Sequence, residues 1–250
     1  MIWSRRISAT PRFAAHTDVG PVRQQNEDAY GAFGPEDGLP AETHLFVVAD
    51  GMGGHVGGRE ASALALETVT RVFFDSDEDP EARLRDALME ANTRVWERAR
   101  ISAGLATMGT TCTALCFSAG RAYVAHVGDS RAYRVERRRM RQLTQDHTLV
   151  EELRRNGSLT DEEARVHPRR NALTRALGIS PEVEVDVSMV GPLQRGQRFL
   201  LCSDGLAPVG TAEIARVLRT EDPQEACQTL VARAAAAGST DNATALVVYV

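Results

Sequence analysis

Several protein classes are excluded by what this sequence lacks. It has only four cysteines, Cys112, Cys116, Cys202 and Cys227, with no CxxC pair and no histidines at zinc-ligand spacing. A disulfide framework and a zinc knuckle are set aside, and the thiols read as small buried residues suited to a reducing compartment. No window approaches the ~18 apolar residues of a membrane span. The opening MIWSRRISAT carries two arginines but no apolar stretch follows, so a cytoplasmic chain is expected, neither secreted nor anchored. A basic stripe is absent: 29 Lys and Arg against 34 Asp and Glu leave a net charge of −5, which argues against a nucleic-acid binder. There is no internal repeat, and the richest breaker segment, Gly34 to Pro40, has the length of a loop inside one domain.

What remains is 250 residues, 43% of them hydrophobic, enough for one enzyme-sized domain with a substantial core. Apolar, β-branched runs predict strands at His44 to Ala49, Thr110 to Phe117, Ala122 to Val127, Val183 to Val187, Arg198 to Cys202 and Ala243 to Val250. Apolar residues at 3 to 4 spacing predict helices at Gly58 to Val72 and Pro80 to Ile101, with others at Thr148 to Arg155, Thr211 to Leu218 and Pro223 to Ala236. Asp79 and Asp222 stand as N-caps before a proline. Four strands between Thr110 and Leu143, joined by short turns, indicate antiparallel hairpins and a layered α+β fold.

Chemistry concentrates where the strands end. Val47-Val48-Ala49-Asp50-Gly51-Met52-Gly53-Gly54 is an apolar strand closing on a carboxylate and three glycines. Phe199 to Gly205 repeats the pattern at Asp204, Asp241 directly precedes the terminal strand, and Asp129 sits at a tight turn in Val127-Gly128-Asp129-Ser130-Arg131. Each alone reads equally well as an Asp-Gly turn. Together, strand-end acids converging on one sheet edge repel one another unless cations neutralise them, and hard divalent cations take oxygen ligands. The segment from Thr17 to Asp28 adds further acids and Arg23, whose planar fork suits a phosphate; its bland alternative is a surface pair with Glu27.

In chain order, Arg23 to Asp28 (RQQNED), Asp50 to Gly54 (DGMGG), Met108 to Thr113 (MGTTCT), Val127 to Arg131 (VGDSR), Leu173 to Gly178 (LTRALG), Ser203 to Leu206 (SDGL) and Asp241-Asn242 resemble the metal-dependent PPM, or PP2C-type, serine/threonine protein phosphatases in their bacterial single-domain form. The resemblance implies a four-layer αββα sandwich, two central antiparallel sheets flanked by pairs of helices. Residues 1–12 would be an N-terminal extension and 13–250 one catalytic domain, with a flap at about 145–178. It also implies two divalent cations, Mn²⁺ or Mg²⁺, that activate a bridging water to hydrolyse phosphoserine and phosphothreonine without a covalent intermediate. Asp50 bridges both ions, Asp204 and Asp241 hold the first, and the Gly51 carbonyl reaches the second. Glu27 and Asp28 bind metal or orient its waters, the latter role preferred for Asp28. Arg23 takes the substrate phosphate, and Asp129 with Asp204 holds a third, weaker ion.

The cysteines sit in no CxxxxxR phosphate loop, which separates the chain from cysteine-based phosphatases. Where eukaryotic relatives commonly read DGHGG this chain has Met52, which donates no proton; a metal-bound water or His55 is left for that step, with a solvated loop histidine as the alternative for His55. His126 reads as a half-buried strand histidine and His147 as a helix cap. Five arginines between Gln145 and Arg170 either attract an acidic phosphoprotein or belong to a solvated helix pair. Phosphorylated proteins are the expected partners, with a Hanks-type Ser/Thr kinase as the opposing enzyme, no nucleic acid or membrane, and a monomeric state. The competing readings are a catalytically silent phosphatase-like regulatory domain and a two-metal nuclease, the latter disfavoured by the acidic charge.

Overall fold

Alternation along the central strands decides the layering, because successive side chains of a strand face opposite sides of a sheet. In the computed structural model, which describes residues 10–53, 57–101, 107–136 and 139–250, β3 (His44–Met52) sends Leu45 and Val47 into one core and Phe46 and Val48 into another. Likewise β10 (Arg198–Cys202) divides Leu200 and Cys202 from Phe199 and Leu201. These strands are covered on both faces, so their sequences read as unbroken apolar runs.

Three cores therefore separate four layers. The first sheet runs β2 (Asp28–Phe33), β3, β5 (Cys112–Ser118), β6 (Arg121–Val127), β9 (Asp186–Pro192), with the short β4 (Gly109–Thr110) beside β3. The second runs β1 (Arg12–Asp18), β11 (Ala243–Tyr249), β10, β7 (Arg131–Glu136), β8 (Arg139–Gln142). Helices α1 (Gly57–Asp75) and α2 (Pro80–Ile101) cover the first sheet, α5 (Thr211–Thr220) and α6 (Pro223–Ala236) the second. Between the sheets, Phe13, Phe46, Phe117 and Phe199 form a chain of edge-to-face contacts with centroids 5.2 to 5.5 Å apart. This is the expected αββα sandwich. Asp79 and Asp222 cap α2 and α6 through their side-chain oxygens, as predicted.

Some expectations are corrected. The strands from 112 to 142 form the expected antiparallel hairpins, but in different sheets: β5 and β6 pair in the first, β7 and β8 in the second, and Gly128-Asp129-Ser130 crosses between them. The ninth strand begins at Asp186, not Val183, because Val183 and Val185 pack on the helical core before the chain joins β6. β1 and β2 were not predicted; both are edge strands whose half-exposed residues give no apolar run. Between β8 and β9 lie the short helices α3 (Leu149–Arg155) and α4 (Asp161–Val166), neither burying a residue, so a solvated helix pair is what the segment forms. The N-cap of α3 is Thr148, whose hydroxyl accepts from the Glu151 amide at 3.3 Å. His147 is not the cap.

Candidate active site

At one end of the intersheet layer, apolar packing gives way to hydroxyls and carboxylates. Asp50, two residues beyond Val48, shares its face of β3 and stands in register with Asp28 of β2. Its backbone is fixed on both sides: the amide donates to Thr111 Oγ1 at 2.9 Å, and the carbonyl accepts from the Thr110 hydroxyl and the Thr111 amide, each at 2.9 Å. Asp28 Oδ2 accepts from Ser203 Oγ at 2.7 Å and Thr244 Oγ1 at 2.6 Å, which ties the first sheet to β10 and β11. Asp28 Oδ1 is buried with no hydrogen-bond partner among the described residues. Asp204 opens a short 3-10 turn after β10, Asp129 lies on the crossing from β6 to β7, and Asp241 precedes β11. The five aspartates come from both sheets.

Their charges are felt mutually. Burial, then the charges of Asp28, Asp204, Asp129 and Asp241, raise Asp50 well above the usual carboxylate range. Burial also lifts Asp28 to about 6, against the hydroxyls of Thr244 and Ser203. Asp204 rises to about 6 by burial and the charge of Asp241, and Asp129 to about 7 by burial and Asp204. Such a set favours neutralisation by a proton or a cation. Among the described residues no three His, Cys, Asp or Glu side chains close on one ion-sized point. Asp241 instead meets Arg23 at 2.5 Å, a contact that keeps the guanidinium firmly protonated. Arg23 thus pairs with Asp241 and not with Glu27, since residues 21–27 form no helix.

Glu27 is 7% exposed and lies against the start of α1. Its carbonyl accepts from the Gly51 amide at 3.1 Å and Ser62 Oγ at 2.5 Å. Gly51 admits no side chain, because a Cβ there would overlap the Gly58 carbonyl. Asn242, quoted in a motif but given no role from sequence, holds the segment that carries Arg23: its Nδ2 donates to the carbonyls of Val19 and Gln25, and its Oδ1 accepts from the Glu27 amide. The hydroxyls of Thr110, Thr111, Ser203 and Thr244 were missed as well; adjacency to the strand-end aspartates was the available signal. Met52 pairs with Gly109 in β4, while Gly54 and His55 lie outside the described residues. His126 and His147 are 1% and 2% exposed, deeper than expected.

A cleft beside the aspartates is lined by Asp129 and Asp204 together with Arg154, Arg165 and Arg170 of the α3–α4 region, of which Arg154 is paired with Glu151 and Asp161. The solvated helix pair and the arginines facing the site are thus one feature. Cys227 and Arg233 do have CxxxxxR spacing, but they fall within α6 and not in a loop. Burial pushes the Cys227 thiol up to about 12, and Arg233 faces Glu213 at the surface.

Comparison with known proteins shows the family. Residues 21–247 match the family described as Protein phosphatase 2C. The serine/threonine phosphatase stp of Listeria monocytogenes is 38% identical over 239 residues, covering 93% of each chain. The crystal structure of the serine/threonine phosphatase PstP/Ppp of Mycobacterium tuberculosis superposes with a TM-score of 0.85 at 35% identity, over 96% of this chain and 98% of that one. A structure of the PstP catalytic domain in complex with two manganese ions has a TM-score of 0.81 at 33% identity, over 96% and 97%. The silent alternative gives way, since the aspartates whose loss would mark it are all retained. This chain belongs to the protein phosphatase 2C family and is a serine/threonine phosphatase.

Proposed function

We propose that the chain hydrolyses phosphoserine and phosphothreonine in proteins with two divalent cations, Mn²⁺ or Mg²⁺, held at the carboxylate edge. The observation that carries this reading is the five-aspartate cluster from both sheets, in which burial and neighbouring charge raise Asp28, Asp50, Asp129 and Asp204, with Arg23 at its rim. The donor set is all oxygen, as a hard cation requires. Asp50, Asp204, Asp241 and the Gly51 carbonyl would hold the pair. Glu27 would add a ligand, Asp28 would orient bound water through its unpartnered Oδ1, and Asp129 with Asp204 would take a third, weaker ion. The two manganese ions in the PstP structure support a pair. Such cations, when bound, activate water and screen the phosphoryl oxygens.

The chain supplies the rest. Arg23 receives the phosphate through its guanidinium fork, at the expense of its contact with Asp241. Thr110 and Thr111 hold the backbone of Asp50 at the strand end, and Ser203 and Thr244 fix the Asp28 carboxylate. Residues 13–250 act as one catalytic domain, with 145–178 as a flap whose arginines approach acidic phosphoproteins. A Hanks-type kinase is the natural source of such substrates. A monomer in the cytoplasm fits, and no described helix is long and apolar enough to cross a membrane. Manganese-dependent release of phosphate from a phosphothreonine peptide tests the proposal, with Asp50→Ala as control. Absence of turnover with metal present would overturn it.

A further inference from the structure

We propose that His147 is a positioning residue that clamps the turn carrying Asp129. The proposal rests on the reading of Asp129 as a ligand of a third ion only for its consequence; the clamp is a matter of geometry. The His147 amide donates to the Gly128 carbonyl at 2.7 Å, and the Gly128 amide donates back to His147 Nδ1 at 3.0 Å. A ring nitrogen that accepts carries no proton, so the imidazole proton is on Nε2, which faces Asp186 Oδ2 at 3.3 Å. Arg175 holds Asp186 in turn at 2.8 Å. The ring is therefore fixed at both nitrogens.

Why the turn needs a clamp follows from its place. Gly128 has φ +113 and lies against Thr111, where a side chain would collide. The segment crosses from one sheet to the other, so no ladder partner holds the Gly128 amide; His147 takes that role. One residue earlier, Asp146 grips Arg131 through both Nε and Nη2, at 3.0 and 2.6 Å. Asp146 and His147 thus seize the turn on either side of Asp129, at 131 and at 128. The same dipeptide leads into α3, and the His147 carbonyl accepts from the Thr174 amide at 2.8 Å, at the far end of the α3–α4 segment. Asp129 is aimed by the base of the flap. Groups that orient a metal ligand are commonly worth about 10- to 100-fold in metal affinity.

Two variants separate the contacts. His147→Asn keeps an acceptor where Nδ1 stands and gives up the reach to Asp186. His147→Gln carries its polar atoms one bond further out and loses the acceptor for Gly128. Hydrogen exchange of amides 128–131, measured without metal, should quicken in His147→Gln and stay near the parent rate in His147→Asn. Mn²⁺ titration of the whole chain should show the weakest ion losing about 10- to 100-fold in affinity in His147→Gln, with the two tight ions retained as proof of folding. Unchanged exchange at 128–131 in His147→Gln, or faster exchange in His147→Asn alone, overturns the clamp. Asp129→Asn serves as reference: if it leaves the weakest ion in place, the reading of Asp129 falls while the exchange result still decides the clamp.

Discussion

Arg23 and Asp241, 218 residues apart in sequence, meet at 2.5 Å at the rim of the carboxylate cluster. One partner is the proposed phosphate contact and the other a proposed metal ligand. Both side chains are part-exposed, at 49% and 35%, so exchanging one partner for another costs little. Arg23→Ala should raise KM for a phosphothreonine peptide about tenfold, equivalent to about 1.4 kcal/mol, with a smaller change in kcat. Arg23→Lys should recover part of the loss, because a point charge replaces the fork. Steady-state kinetics on the two variants checks this; an unchanged KM in Arg23→Ala would remove Arg23 from the phosphate site.

Removing metal should change how stability depends on pH. Folding holds Asp28 and Asp204 up to about 6 and Asp129 to about 7, mainly by burial. A folded value above the unfolded one stabilises fully below the unfolded value and is lost as pH rises through the folded value. The chelated protein therefore loses stability from about pH 4 to 7, where bound cations would replace the missing protons. The gap in melting temperature between Mn²⁺-saturated and chelated protein should widen across that window. In chelator, Asp50→Asn should melt higher than the parent, by about 2–4 °C per kcal/mol of repulsion relieved. Differential scanning calorimetry across pH decides; a constant gap counts against the site.

The central strands were legible because burial on both faces writes itself as apolar runs, and Asp50 and Asp204 because each closes such a run and is followed by glycine. Other parts left no such mark. β1 and β2 are sheet edges stabilised by pairing with β11 and β3, which sequence does not display. Gly128-Asp129-Ser130 looks like a hairpin turn, since its length suits one; only the apolar faces of β6 and β7 going to different sheets reveal a crossing. The histidines were underread for a related reason. His126 takes its partners from Thr113 and the Gln145 carbonyl, and His147 its own from Gly128 and from Asp186 of β9, all distant in sequence.

The cysteines should be silent. Burial pushes Cys112, Cys116, Cys202 and Cys227 each up to about 12, and the thiolate is the reactive form. Iodoacetamide at pH 7.5 should leave native activity intact and label the thiols only after denaturation. Rapid inactivation in the native state would point to a thiol in the chemistry.

The arginines of the α3–α4 region that line the cleft should govern protein substrates and not small ones. Arg165 and Arg170 line it with Asp129 and Asp204, where long-range attraction acts on encounter and weakens with salt. Arg165→Glu with Arg170→Glu should lower kcat/KM for an acidic phosphoprotein about tenfold at low ionic strength, a barrier of about 1.4 kcal/mol, and flatten its salt dependence. Turnover of p-nitrophenyl phosphate should hardly move. Equal losses on both substrates would assign the arginines to the fold instead.

His126 should make the protein acid-sensitive in a way that one substitution exposes. It is 1% exposed, its Nδ1 lies 2.9 Å from Thr113 Oγ1 and its Nε2 donates to the Gln145 carbonyl at 3.1 Å. Burial, then the neighbouring His147, lowers it to about 3. The folded value is below the unfolded 6.5, so its contribution is intact above 6.5 and is lost as pH falls toward 3, because the unfolded chain takes up a proton that the folded chain refuses. The limiting slope is about 1.4 kcal/mol per pH unit. His126→Gln removes that proton uptake. At pH 7.5 the variant should be the less stable by about 1 kcal/mol for the hydrogen bonds it disturbs, and the deficit should shrink as pH falls from 6.5 to 5. Urea denaturation of both proteins at matched pH measures the difference, and parallel stability curves would mean that His126 takes up its proton as readily in the folded state as in the unfolded one.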